Sequence, residues 1–221
     1  MTEDSADPLP PEAVIALAWS PPEVRSALGT VLRLDRRLAR ILARTREPML
    51  GQMRLSWWRE ALGKPPADRP RGDAVLDAIG VHWAGREPAL VALVDGWEQV
   101  LEEPPLSEEA ARLFAAGRCE ALIAAHRREP VALDPSDPCM AAAWHWSLAD
   151  FAARVSDARE RALLVRLGLA QGRPAAPLPR EARGLAVLGG LGLRALRRGG
   201  RPLMEGRGAP LAALRAAIFR A

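Results

Sequence analysis

Cysteine and histidine are scarce in this chain, two of the one and three of the other in 221 residues. Cys119 and Cys139 stand far from any histidine pair with ligand spacing, which argues against a zinc site or a disulfide framework and leaves both as packing thiols. Lysine is nearly missing too. Lys64 is the only one, so the basic charge is arginine, and the abundance of Ala, Leu, Gly and Pro around it points to coding bias rather than selection for a polyanion. Net charge is only +4, and no aromatic–basic interleaving of a nucleic-acid module occurs, so nucleic acid is not an expected partner. No apolar run is long enough to cross a bilayer, and the opening "MTEDSADPLPPE" is acidic and proline-rich rather than signal-like. A soluble cytoplasmic protein is the expectation. No segment alternates β-branched with polar residues, so no strand is predicted.

What the chain does have is helical periodicity broken by proline and glycine, and the predicted fold class is all-α, a single helical domain over residues 12–221 behind a disordered tail at 1–11. Helices are expected at Glu12–Trp19, at Val24–Ala43 and from Pro48 onward. Gly63–Pro70 reads as an exposed loop. Asp73 and Ser107 are suited to cap the helices that follow them, and Pro88 to open another. Gly117 lies in the apolar face of the helix after Ser107, which makes sense only where another backbone comes close. A further helix begins near Cys139 and continues to Gly172; Asp150 and Arg154 fall outside its apolar stripe with the spacing of a surface ion pair, and His145 borders it as a packing residue. His126 reads as a surface residue. The tail from Arg180 reads as two short helices divided at Gly199–Pro202, the first weakened by four glycines.

Two charges break the pattern. Asp35 lies at the centre of an apolar face formed by Leu28, Val31, Leu32, Leu38, Ala39 and Leu42, opposite an arginine face of Arg33, Arg36, Arg37, Arg40 and Arg44. In the next helix Leu50, Met53, Trp57 and Ala61 form an apolar face widened by Leu55, Trp58 and Leu62, and Arg54 falls within it. Buried charges are paired, so Asp35 and Arg54 are expected to meet, either as a structural ion pair or as part of a ligand pocket. Asp95, Glu98 and Glu102 form an acidic strip facing solvent or a cavity mouth.

The run "LRLDRRLARILARTREPMLGQMRLSWWREAL" resembles the N-terminal part of squalene/phytoene synthase family proteins, especially divergent bacterial and mitochondrial relatives. "LVALVDGWEQVLEEP" and "LFAAGRCEALIAAHRR" resemble the segments that follow, so the likeness covers about residues 25 to 128. It implies an isoprenoid (terpenoid) synthase type of bundle, here shortened at the C-terminal end. Catalytic members join two prenyl diphosphates head to head, with Mg²⁺ held by two Asp-rich motifs on facing helices. Asp35 matches the first aspartate of the first motif, but Ala39 stands where the next carboxylate belongs, no Asp-x-x-x-Asp follows residue 128, and the tyrosines of the catalytic pocket are absent. Magnesium and diphosphate need several hard oxygen ligands together.

The expected function is therefore binding without prenyl transfer. No residue is assigned as catalytic or as a metal ligand. Asp35, Arg54, Trp57 and Trp58 are the candidate lipid-binding residues, and the partners are an isoprenoid or quinone-like lipid, a protein, as for the mitochondrial relatives in respiratory complex I assembly, or the inner membrane surface through the Arg-rich helices. The alternative is a working head-to-head prenyl diphosphate synthase, with Mg²⁺ as cofactor and Asp35 as its ligand.

Overall fold

Ten α-helices and no strand are present among the described residues. The structure is a computed structural model and describes residues 8–45, 47–101, 104–127, 134 and 136–220. The helices are α1 (Pro11–Trp19), α2 (Pro22–Arg44), α3 (Pro48–Gly63), α4 (Ala74–His82), α5 (Glu87–Glu98), α6 (Glu108–Ala124), α7 (Pro138–Ala152), α8 (Ala158–Ala170), α9 (Arg183–Arg197) and α10 (Ala209–Phe219). The all-α expectation stands. Of the expected tail, residues 1–7 lie outside the described residues, and α1 already begins at Pro11.

Local chemistry sets the helix starts. Proline occupies the first turn of α1, α2, α3, α5, α7 and α10, where its missing N–H leaves no bond unmade. The Asp73 carboxylate accepts from the Val75 and Leu76 amides at the head of α4, and Ser107 Oγ accepts from the Ala110 amide at the head of α6. The loop after α3 is not wholly exposed. Arg69 is buried there, donating to the Glu87 carboxylate at 2.9 Å and to the Lys64 carbonyl at 2.9 Å.

Helices α5 and α6 cross at glycine. A Cβ on Gly117 would stand 2.1 Å from the Ala92 carbonyl oxygen and 3.3 Å from Gly96 Cα, so only glycine permits the approach. The same logic reverses the expectation for α9. Its glycines do not weaken it into a short segment; it is a fifteen-residue helix buried at the centre of the C-terminal half, packed on α7, α1 and α10. A Cβ on Gly192 would lie 2.7 Å from the His145 backbone, so close packing on α7 outweighs the low helix propensity. A nearly continuous hydrophobic core joins α1 to α10, with a small satellite cluster where α6, α7 and α8 meet.

Helix α3 is rotated from the expected orientation. Gly51, Leu55, Trp58, Ala61 and Leu62 are buried, chiefly against α5, whereas Leu50, Met53 and Trp57 lie in solvent, 64 % of Met53 and 42 % of Trp57 being exposed. The apolar arc of this helix spans more than half its circumference. Pattern alone cannot say which part of such an arc meets the partner. Arg59 fixes the outcome by donating to Asp95 at 2.7 Å and to Glu98, so the acidic strip of α5 clamps α3; Glu102 lies outside the described residues.

A candidate lipid-binding cleft

Asp35 is buried, as expected, but its partner is Arg118 of α6 and not Arg54. One Asp35 oxygen accepts from Arg118 Nε and from Trp97 Nε1, both at 2.9 Å, and the other accepts from Arg118 Nη2 at 2.6 Å. Arg54 is exposed and donates to Thr45 Oγ1 at 3.2 Å. The physical reason is that the Asp35 face of α2 looks towards α5 and α6, while α3 turns away onto α5. Arg118 was legible as a partner. It lies one turn after Phe114 and three residues before Ala121, in the middle of the apolar arc of its own helix, and so is as misplaced by pattern as Arg54.

Arg118 also reaches α7. Its Nη2 donates to Asp150 Oδ2 at 2.8 Å and its Nη1 to the Ser147 carbonyl at 2.8 Å. Asp150 is thus buried, a correction to its reading as a surface residue, although the ion pair with Arg154 does form. The guanidinium is 1 % exposed and sits against three aromatic rings, 4.1 Å from the Trp146 centroid, 5.1 Å from Phe114 and 5.5 Å from Trp97. Burial pulls the Arg118 pKa down, but Asp35 and Asp150 more than reverse it, and the net direction is upward. One cation is therefore held between carboxylates of two different helices, with its donors spent on both. Glu12 of α1 lies close by; burial raises its pKa, the Asp150 charge adds to this, and Arg154 and Arg36 oppose it.

Beside this network opens a cleft of about 430 Å³ between α2, α5 and the C-terminal end of α7. Ala39, Leu42, Trp97, Val100 and Phe151 supply its apolar surface, and Arg36, Arg40 and Arg154 stand at its edge. Its size and mixture of apolar walls with a few polar groups suit a small amphiphile. Three of the six arginines of α2 are half-buried and not on a plain solvated face: Arg36 and Arg40 line the cleft and Arg37 pairs with Asp73 at 2.8 Å. Of the four residues singled out by sequence, Asp35 lies under the cleft through Trp97, Trp58 is in the core, and Arg54 and Trp57 are on the outer side of α3, so the structure does not bring the four together.

Magnesium does not fit the residues present. Both Asp35 oxygens and both Asp150 oxygens accept from arginine, and Ala39 offers no oxygen one turn from Asp35. A metal would have to displace Arg118, whose own charge occupies the space between the two carboxylates.

His126 is less exposed than the sequence suggests, whereas His145 is buried, in keeping with its reading as a packing residue. His126 Nδ1 lies 2.8 Å from the Leu122 carbonyl, and burial pushes its pKa down to about 4. Cys119 and Cys139 are free and buried, their thiols pushed up to about 12 by burial. Compared with family models, with curated proteins and with solved structures, the chain gives no match.

Proposed function

We propose that this chain is a squalene/phytoene-synthase-like bundle that binds an isoprenoid-type lipid in the α2–α5–α7 cleft and does not transfer prenyl groups. The observation that supports it is the placement of Arg118 between Asp35 and Asp150. The resemblance implies facing carboxylates that hold metal, and here a guanidinium carried by the protein neutralises the two facing carboxylates. What is left beside them is an apolar cleft with arginines at its edge, which suits an apolar chain ending in an anionic or polar head.

The test is a calorimetric titration with geranylgeranyl diphosphate, followed by a search for head-to-head C40 product after incubation with Mg²⁺. Saturable binding, lost when Ala39→Phe fills the cleft and accompanied by no product, is the expected result. Absence of binding, or formation of product, would overturn the reading.

A second reading, a protein partner, is favoured by one specific feature. Met49, Leu50, Met53 and Trp57 form an exposed apolar stripe on α3. If a partner protein covers it, cross-linking in cells gives a heterologous adduct that disappears with Met53→Asp, while lipid affinity is unchanged.

A further inference from the structure

The C-terminal part of the chain carries charge and apolar surface that the α2–α5–α7 cleft does not use. Residues 183–220 contain eight arginines and a single acid, Glu205, a local charge of +7 in a chain whose net charge is +4. Five arginines, Arg173, Arg194, Arg197, Arg198 and Arg215, line a second cleft of about 460 Å³ between α7, α9 and α10, and no acidic side chain lines it. Arg173, Arg197 and Arg215 make no hydrogen bond or ion pair among the described residues. Glu205 does not compensate them: its carboxylate meets Arg201 at 3.3 Å, and only its backbone carbonyl accepts from Arg194 and Arg198, at 3.0 and 2.8 Å. His145 also lines this cleft, 1 % exposed, and its buried Nε2 has no hydrogen-bond partner.

Helix α10, which forms one wall, is apolar on the wrong side. Its alanines Ala209, Ala213, Ala216 and Ala217 face the protein, while Leu211, Leu214, Ile218 and Phe219 are exposed, Leu211 by 60 % and Phe219 by 64 %. Arg215 lies in the same outward arc, one turn from Leu211 and from Phe219, and both Arg215 and Phe219 reach the cleft. A helix that sends its large apolar side chains outward next to an uncompensated cationic cleft has the chemistry of a bilayer surface: acyl boundary for the leucines, anionic headgroups for the arginines.

We propose that α10 lies in the interface of an anionic membrane and that the α7–α9–α10 cleft takes the phosphate of a phospholipid headgroup. Arg197 and Arg215, both exposed and without an acidic partner among the described residues, are its phosphate contacts. The attachment is peripheral; among the described residues no helix is long and apolar enough to cross a membrane. The site is separate from the α2–α5–α7 cleft, so its failure would leave the isoprenoid reading untouched.

The test is co-sedimentation of the full chain with vesicles of phosphatidylcholine alone and of phosphatidylcholine with phosphatidylglycerol. Binding to the anionic vesicles only, weakened by added salt, is expected. Arg197→Glu/Arg215→Glu is expected to weaken it roughly tenfold or more, since each arginine at such a surface contributes about fivefold. Leu214→Ser/Ile218→Ser, which keeps every charge, is also expected to weaken it. Arg33→Glu/Arg44→Glu makes the same charge change on α2 and is expected to have the smaller effect. All these side chains are exposed, so circular dichroism and melting confirm an unchanged fold. Equal binding to both vesicle types, binding to neither, an equal loss from the α2 pair, or retention after Leu214→Ser/Ile218→Ser would overturn the proposal. So would stabilisation by glycerol phosphate without vesicle binding, which would place a soluble phosphate ester in the cleft.

Discussion

The two clefts are close in size, about 430 and 460 Å³, and both carry arginine, yet they are built on opposite principles. In the α2–α5–α7 region each deeply placed charge has a counterpart: Arg118 lies between Asp35 and Asp150, and Arg154 closes the second carboxylate. In the α7–α9–α10 region the arginines have no acid among them and stay near solvent. A buried guanidinium must bring its own counter-ions into the fold, because the cost of leaving it unpaired is several kcal/mol. An exposed one can wait for a counter-ion from outside. The first arrangement holds helices together; the second leaves charge available for a ligand.

Breaking the first region should therefore cost the most. Arg118→Met leaves two buried carboxylates without their shared cation and is expected to lower stability by about 3 to 5 kcal/mol in urea unfolding. A loss below about 1 kcal/mol would mean that the network is not the keystone it looks. The triple variant Asp35→Leu, Arg118→Met, Asp150→Leu is expected to recover much of the loss, because apolar residues of similar volume replace a desolvated cluster.

Acid probes the floor of the second region. Burial, with Arg197 nearby, pushes His145 down to about 4, against a hydrogen bond that the imidazole donates to the Gly172 backbone. The unfolded chain takes up its proton near pH 6.5 while the native one does not, so stability from this residue is complete above pH 6.5 and is lost as pH falls towards 4. The loss is roughly 2 to 3 kcal/mol, and His145→Gln should flatten that part of the pH–stability curve. An unchanged slope would show that the imidazole is reached by water.

Smaller changes sharpen the contrast. Arg154→Gln removes one of the two arginines on buried Asp150 and should cost about 1 to 2 kcal/mol. Glu12→Gln should act in the other direction. Its carboxyl has a raised native pKa, so its stabilising contribution is present at acid pH and is lost as pH rises past the native value; the amide should raise the melting temperature at pH 7 by up to about 3 °C and by less at pH 4. Arg197→Gln/Arg215→Gln, in the uncompensated cleft, should change stability by less than about 0.5 kcal/mol. A cost as large as that of Arg154→Gln would erase the distinction between the two regions.

Much of this was written in the sequence as local chemistry. The caps Asp73 and Ser107, the close approach at Gly117 and the burial of Asp35 each follow from a residue whose side chain, or lack of one, suits a single environment. The choice of neighbours does not follow from local chemistry. Consecutive helices pair Asp35 with Arg54, whereas Arg118, which breaks the pattern of α6 in the same way, lies 83 residues from Asp35 in sequence. The pattern of α3 does not say which part of its apolar arc is buried, because that arc is wider than the contact it makes, and propensity counts the α9 glycines as a loss while packing on α7 makes them a requirement. The apolar outer face of α10 is not legible in the sequence, since four large apolar residues in a short alanine-rich helix have the pattern of a core, and only the packing shows that the alanines occupy the inside.

The most direct test of the central claim, that Arg118 fills the place between the facing carboxylates where a metal would sit, is the melting temperature of the protein in pyrophosphate with and without Mg²⁺. The arginines can take pyrophosphate unaided, so the account predicts the same melting temperature in both solutions. A rise that requires Mg²⁺ and pyrophosphate together, and that disappears in Asp35→Asn, would contradict it and restore Asp35 as a metal ligand.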